Sequence, residues 1–236
     1  ALIATRLADG QLLAGARVGD AKVRDVQWVG EDAVLSTTST TQSIPLFGVS
    51  KSEFFMGQIH DLNGRPMRQI FADQPGMWPI MTGRPMVRQT PAGARLFVAG
   101  FNVSDREINL YGIDPAAGIT RRLARSNFDV ETDVVSSDGA LIARSEYDER
   151  RKYWTLYIAG AGQRLRLGWT THAPLDSPDL LGLGRTDGTV LVNARRPDLP
   201  GDTAVEGPEG DTSEEALNHL FEIDVATGTW TRLNFE

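Results

Sequence analysis

The sequence predicts an all-β fold assembled from repeated four-stranded antiparallel units. Three observations predict it. Helical periodicity is almost absent. Short runs rich in Val, Ile, Leu, Thr, Phe and Tyr are punctuated by Asp-Gly, Asn-Gly and other glycine turns, the mark of strands joined by tight connections. One pattern also recurs along the chain: a strand, a tight turn, a strand, a variable loop, a strand ending in Asp or a similar polar residue, a second glycine turn and a closing strand.

The elements follow in order. Leu2–Leu7, the turn Asp9-Gly10 and Gln11–Gly15 read as half of such a unit. The first full copy runs Val23–Val29, turn Gly30-Glu31-Asp32, Ala33–Thr37, a long loop from Thr38 to Phe54, Phe55–Leu62, turn Asn63-Gly64, and Met67–Phe71. The second is Met86–Thr90, turn Pro91-Ala92-Gly93, Arg95–Ala99, Asn109–Asp114, turn Ala117-Gly118, and Ile119–Leu123. The third and clearest is Thr132–Ser136, turn Ser137-Asp138-Gly139, Leu141–Ser145, Tyr153–Ala159, turn Gly160–Gly162, and Arg164–Leu167. The fourth is Leu180–Leu183, turn Thr186-Asp187-Gly188, Val190–Ala194, a long loop, His219–Asp224, turn Thr227-Gly228, and Thr229–Leu233. The one helical candidate is Ser213–Leu217, with Glu214 and Glu215 in its first turn.

A repeat of roughly 45–60 residues with four strands has the size of a propeller blade. Strands such as Leu141-Ile142-Ala143 and Val190-Leu191-Val192 carry apolar residues toward both faces. A sheet of this kind must be covered on both sides, which stacked blades achieve. The expected architecture is therefore a β-propeller of about 4.5 blades: a half blade at 1–20 and blades at about 21–74, 75–126, 127–171 and 172–236. A propeller closes with 4–8 blades, so the expectation is a piece of a larger ring of seven or eight.

The 236 residues include no Cys, which excludes disulfides, thiol nucleophiles and Cys-ligated metals. Lys and Arg number 24 against 31 Asp and Glu, a formal charge of -7. An acidic chain without a basic block is a poor nucleic-acid binder, and no apolar run approaches the length of a membrane helix. The chain begins and ends in strand-like sequence, which reads as an excised part of a longer protein. Compartment is left open between cytoplasm and periplasm.

No motif carries catalysis. His60, His172 and His219 show no metal-ligand spacing. Gly48-Val49-Ser50-Lys51-Ser52 lacks the final Gly of a nucleophile elbow, and Ser50 reads as an ordinary loop serine. Gly160-Ala161-Gly162 and Gly182-Leu183-Gly184 precede no helix that could hold a phosphate. Asn102-Val103-Ser104 is a glycosylation sequon. The loop from Arg196 to Glu215 is acidic, with Asp198, Asp202, Glu206, Glu209, Asp211 and Glu214, and lacks calcium-loop spacing. In Glu149-Arg150-Arg151-Lys152-Tyr153-Trp154 an aromatic pair entering the core with snorkelling basic residues is expected. Trp28, Trp78, Trp169 and Trp230 read as filler between blades. The expectation is thus no catalytic residue, no metal, no cofactor and no assignable binding residue.

Two phrases resemble a known family. Val23-Arg24-Asp25-Val26-Gln27-Trp28-Val29-Gly30-Glu31-Asp32 is similar to a strand ending of peptidase propellers. Leu110-Tyr111-Gly112-Ile113-Asp114 with Gly118, and Leu220-Phe221-Glu222-Ile223-Asp224 with Gly228, resemble the close of their blades. Together these resemble the N-terminal propeller of prolyl oligopeptidase (S9) family serine peptidases, of the dipeptidyl- or acylaminoacyl-peptidase type. The resemblance implies a non-catalytic domain that admits short peptides to a C-terminal α/β-hydrolase domain absent from this sequence. It also implies peptide as the substrate, with neither nucleic acid nor membrane as partner. Loops of such a domain can bind a peptide amino terminus; Glu53 and Glu146 are acidic residues of the right kind, and neither aligns with a family motif. Two other readings stay open: a free-standing TolB- or WD40-like interaction propeller, and a small-molecule enzyme on five blades.

Overall fold

In the computed structural model the described residues are 1–17, 19–44, 49–196 and 218–234. They fold as two compact units, Ala1–Asn127 with Ser137–Gly139, and Phe128–Ser136 with Ala140–Glu236. The fold is all-β, in open antiparallel sheets. Among the described residues no helix is long and apolar enough to cross a membrane.

The first unit opens with a hairpin, β1 (Leu2–Thr5) and β2 (Leu12–Ala16). A meander follows: β3 (Lys22–Trp28), β4 (Ala33–Ile44), β5 (Val49–Asp61) and the short β6 (Arg68–Gln69). After β7 (Met77–Met81) comes a second meander, β8 (Met86–Thr90), β9 (Gly93–Asn102), β10 (Glu107–Ile113) and β11 (Thr120–Arg125). β7 pairs with β5 at Phe55↔Met81 and with β9 at Met77↔Asn102 and Met81↔Gly100. It thereby joins both meanders into one nine-stranded sheet. Pro79 sits in the middle of β7, where a missing N–H interrupts the ladder, and pairing resumes only at Met81.

Two glycines make room for this junction. A Cβ on Gly57 would lie 2.4 Å from Ile70 Cδ1 and 2.9 Å from Met81 Sδ. One on Gly100 would lie 2.4 Å from the Phe71 ring. The segment after β6 therefore presses directly on the bare backbone of β5 and β9. Leu35, Ile59, Ile70, Phe71, Met81, Leu96 and Val98 form the core there.

The second unit holds two four-stranded meanders. One is β12 (Val130–Val135), β13 (Leu141–Asp148), β14 (Tyr153–Ala159) and β15 (Leu165–His172). The other is β16 (Asp179–Leu183), β17 (Thr189–Ala194), β18 (His219–Asp224) and β19 (Trp230–Arg232). Their first strands, β12 and β16, lie against each other. Leu141, Ile142 and Ala143 are all buried, so this strand is covered on both faces. Trp154, Leu156, Ile158, Leu180, Val190, Val192 and Phe221 complete the core. Within the sheet Arg144 clamps its cross-strand partner Asp133 in two hydrogen bonds, Nε to Oδ1 at 2.7 Å and Nη2 to Oδ2 at 3.2 Å. Burial pushes the Asp133 carboxyl up and the Arg144 guanidinium opposes this.

The Asp-x-x-x-Gly closes have a local cause. Asp114 Oδ1 accepts the amides of Ala116 and Ala117 at 2.9 Å, and Gly118 N–H donates to the Asp114 carbonyl at 2.8 Å. At Asp224 the carboxylate accepts the Thr227 amide and Gly228 N–H donates to the Asp224 carbonyl, both at 2.8 Å. Both glycines are left-handed, with φ of 71° and 79°. The Asp side chain organises the turn and Gly takes the conformation that other residues resist.

The structure corrects several local expectations. Within the expected loop Thr38–Phe54, residues 38–44 and 49–54 are strand: β4 and β5 run on as a paired ribbon through Thr41↔Glu53 and Gln42↔Ser52. Ser50 accordingly lies in strand β5. The reason is that Thr and Ser occupy both faces of this ribbon, so no apolar alternation marks it. Trp28 is no filler, being 57% exposed. The helix expected at Ser213–Leu217 and the acidic residues from Asp198 to Glu215 lie outside the described residues.

Candidate functional site

A cavity of about 330 Å³ opens in the first unit, where β3, β4 and β5 meet the segment after β7. A β-bulge builds it. Val23 pairs with Thr38 and Asp25 with Thr37, leaving Arg24 as an extra residue. Such a bulge re-aims side chains, and both Arg24 and Asp25 line the cavity. Thr37 and Ser39, two residues apart on β4, share a face. Phe55 stands opposite Ser39. Met81 closes β7, and Arg84 follows it on the far wall.

The polar groups are partly committed. Arg24 Nε donates to Ser39 Oγ at 2.8 Å, and its Nη2 donates to Glu53. Ser39 Oγ in turn donates to Glu53 Oε1 at 2.7 Å. The Ser39 hydroxyl, then the Arg24 guanidinium, hold the Glu53 carboxyl below its usual range. Ser39 is 1% exposed, so this hydroxyl is a strut and no nucleophile. Three groups are uncommitted. Arg84 is exposed and makes no ion pair among the described residues. Among the described residues Asp25 accepts only the Val26 amide, at 2.9 Å. The Thr37 hydroxyl is buried without a hydrogen-bond partner.

Glu53 is thus at this site, tied to Arg24, whereas Glu146 lies in the other unit on β13, against Tyr157. None of the histidines gathers metal ligands. His60 is buried, with Nε2 2.8 Å from Ser36 Oγ, and burial lowers its pKa. Ser36 is fully buried, so its hydroxyl acts as a strut for His60. His60, with Trp28 and Met67, lines a second cavity of about 400 Å³ beside the β1–β2 hairpin. His172 packs on Tyr153 at 5.2 Å, and His219 Nδ1 lies 3.0 Å from Arg232. Asn102 of the sequon caps its own turn, accepting the amides of Ser104 and Asp105.

In the basic-aromatic cluster Trp154 is fully buried and donates from Nε1 to Glu131 at 3.1 Å. Tyr153 is 44% exposed. Arg196 lies over the rings of Trp169 and Trp230, at 4.7 and 4.1 Å, a cation–π sandwich. Sequence reasoning missed the cavity residues Arg24, Asp25, Thr37 and Arg84 as a group. The only available signal was Arg24-Asp25 inside a strand, where two adjacent charges break the alternation.

The structural neighbours of this chain include two acylaminoacyl peptidases and the β-propeller domain of a protease. An acylaminoacyl peptidase in complex with Z-Gly-Gly-Phe-chloromethyl ketone superposes with a TM-score of 0.52 at 10% identity, over 92% of this chain and 33% of that one. The acylaminoacyl peptidase of Pyrococcus horikoshii superposes with a TM-score of 0.53 at 9% identity, over the same shares. The β-propeller domain of the Trilobed protease from Pyrococcus furiosus, described as having an open velcro topology, gives a TM-score of 0.47 at 10% identity, over 92% of this chain and 57% of that one. No family model matches the chain and no curated protein matches it. The class is therefore defined by fold: a partial β-propeller of four-stranded antiparallel units. This chain spans between a third and 57% of these neighbours.

Proposed function

We propose that these residues form the non-catalytic propeller of an S9-type serine peptidase, controlling the access of short peptides to an α/β-hydrolase domain that lies elsewhere in the polypeptide. The observation that carries this reading is the superposition of 92% of the chain on a third of two acylaminoacyl peptidases. The local chemistry agrees: the two serines paired with a base or carboxylate, Ser36 and Ser39, are both buried struts. A propeller acts here by size exclusion, a matter of geometry with no bond made or broken.

The test begins with the coding region. It is expected to continue into a strand–Gly-x-Ser-x-Gly–helix segment. The full-length enzyme is then expected to hydrolyse short chromogenic peptides and to spare a folded protein carrying the same cleavable sequence. A coding region with no hydrolase overturns the reading and favours a TolB- or WD40-like interaction propeller. Equal rates on the folded protein and the short peptide overturn the size filter alone.

A further inference from the structure

We infer that the cavity formed by β3, β4, β5 and the Thr82–Pro85 segment is a binding site for a small free α-amino acid with an apolar side chain, held as its zwitterion. The inference does not rest on the peptidase reading, since every residue it uses lies in the first unit.

The argument is one of uncommitted groups. Arg84 and Asp25 carry opposite charges and line the same cavity, and among the described residues neither makes an ion pair. A ligand with one negative and one positive group satisfies both and leaves the site neutral; a simple anion leaves Asp25 facing it, and a simple cation leaves Arg84 facing it. Arg24 is held by Ser39 and Glu53 through Nε and Nη2, so its remaining terminal nitrogen is presented from a fixed side chain. A guanidinium whose orientation is already set loses little freedom on binding a carboxylate.

The Thr37 hydroxyl is a second, independent sign. Thr37 is 6% exposed, lines the cavity and has no partner for its hydroxyl. Buried hydroxyls are nearly always paired, and a polar ligand atom or ordered water in this cavity supplies the pairing. Phe55 and Met81 give the cavity an apolar wall, which suits an aliphatic side chain. The volume of about 330 Å³ is at the small end of ligand pockets and accommodates a single amino acid.

The experiment is calorimetric titration of the 236-residue chain with three probes. These are leucine, 4-methylpentanoate (leucine without its ammonium) and 3-methylbutylamine (leucine without its carboxylate). Leucine is expected to bind saturably at one site, and each analogue about tenfold or more weakly, the loss of one charge-assisted contact. R84Q is expected to weaken leucine and 4-methylpentanoate and, by removing the like charge that faces a cation, to strengthen 3-methylbutylamine. D25N is expected to weaken leucine and 3-methylbutylamine and, by removing the like charge that faces an anion, to strengthen 4-methylpentanoate. Both side chains are exposed, so unchanged melting curves certify the variants as folded. Absence of saturable leucine binding overturns the inference. So does binding of 4-methylpentanoate as tight as leucine, or leucine binding that neither variant alters. None of these results bears on whether the coding region contains a hydrolase.

Discussion

Glu222 shows how a single side chain can tie stability to pH. Its carboxylate accepts Arg185 N–H at 2.7 Å, Arg185 Nε at 2.9 Å and Thr189 Oγ1 at 2.9 Å. The Arg185 side chain first, then its backbone amide, lower the pKa from 4.5 to about 2. A carboxyl depressed on folding contributes stability above its unfolded pKa and loses it as pH falls through the folded one. Between pH 4.5 and about 2 the wild type is thus expected to lose stability that E222Q, lacking the titration, does not lose. Acid titration followed by circular dichroism checks this; identical acid transitions in the two proteins would refute it. Thr37 gives the opposite kind of expectation. Its hydroxyl is buried without a partner, a burden of about 1–3 kcal/mol. T37V keeps the shape and removes that burden, so urea midpoints are expected to rise in the ligand-free protein. A lower midpoint would mean that the hydroxyl is satisfied.

At the scale of the element, the informative feature is the junction at β7. A strand with a central Pro79 is a poor ladder partner, yet it bridges β5 and β9. What compensates is packing: Ile70, Phe71 and Met81 fill the space left by Gly57 and Gly100. Adding a methyl there forces Phe71 off the sheet, and overpacking of this kind costs about 1–3 kcal/mol. G100A is therefore expected to lower the thermal midpoint of the protein. The same change at Gly15, where a Cβ would approach nothing closer than 4.0 Å, is expected to leave it nearly unaltered. Equal effects at the two positions would show that the glycines are not packing devices. The β4–β5 ribbon is a second element whose length matters, because its paired extension carries Glu53 to the Arg24 bulge.

For the whole molecule, the two proposals are read in different experiments. The strands bring apolar residues together within each unit, and Ser36 and Ser39, whose hydroxyls meet a histidine and a carboxylate, are buried. The proposed size filter and the proposed amino-acid site are separate consequences. The first belongs to a full-length enzyme and is read as the rate on a short peptide against the rate on a folded protein. The second belongs to the first unit and is read in the 236-residue chain itself.

By itself the sequence determined the all-β class, the antiparallel meanders and the turns that close them. These are local properties. Alternating apolar residues set the strand faces, and Asp114 with Gly118, or Asp224 with Gly228, set a turn within five residues. The tertiary structure alone decided the bridging β7, the polar β4–β5 ribbon and the cavity. Each depends on pairing between distant segments: Phe55 with Met81, Thr41 with Glu53, and a one-residue slip at Arg24 that turns two adjacent charges toward one face. A bulge adds a single residue to a strand and leaves no period in the sequence. Gly57 and Gly100 read in the sequence as weak points of strands, and only the neighbours packed against them reveal why a side chain there would not fit.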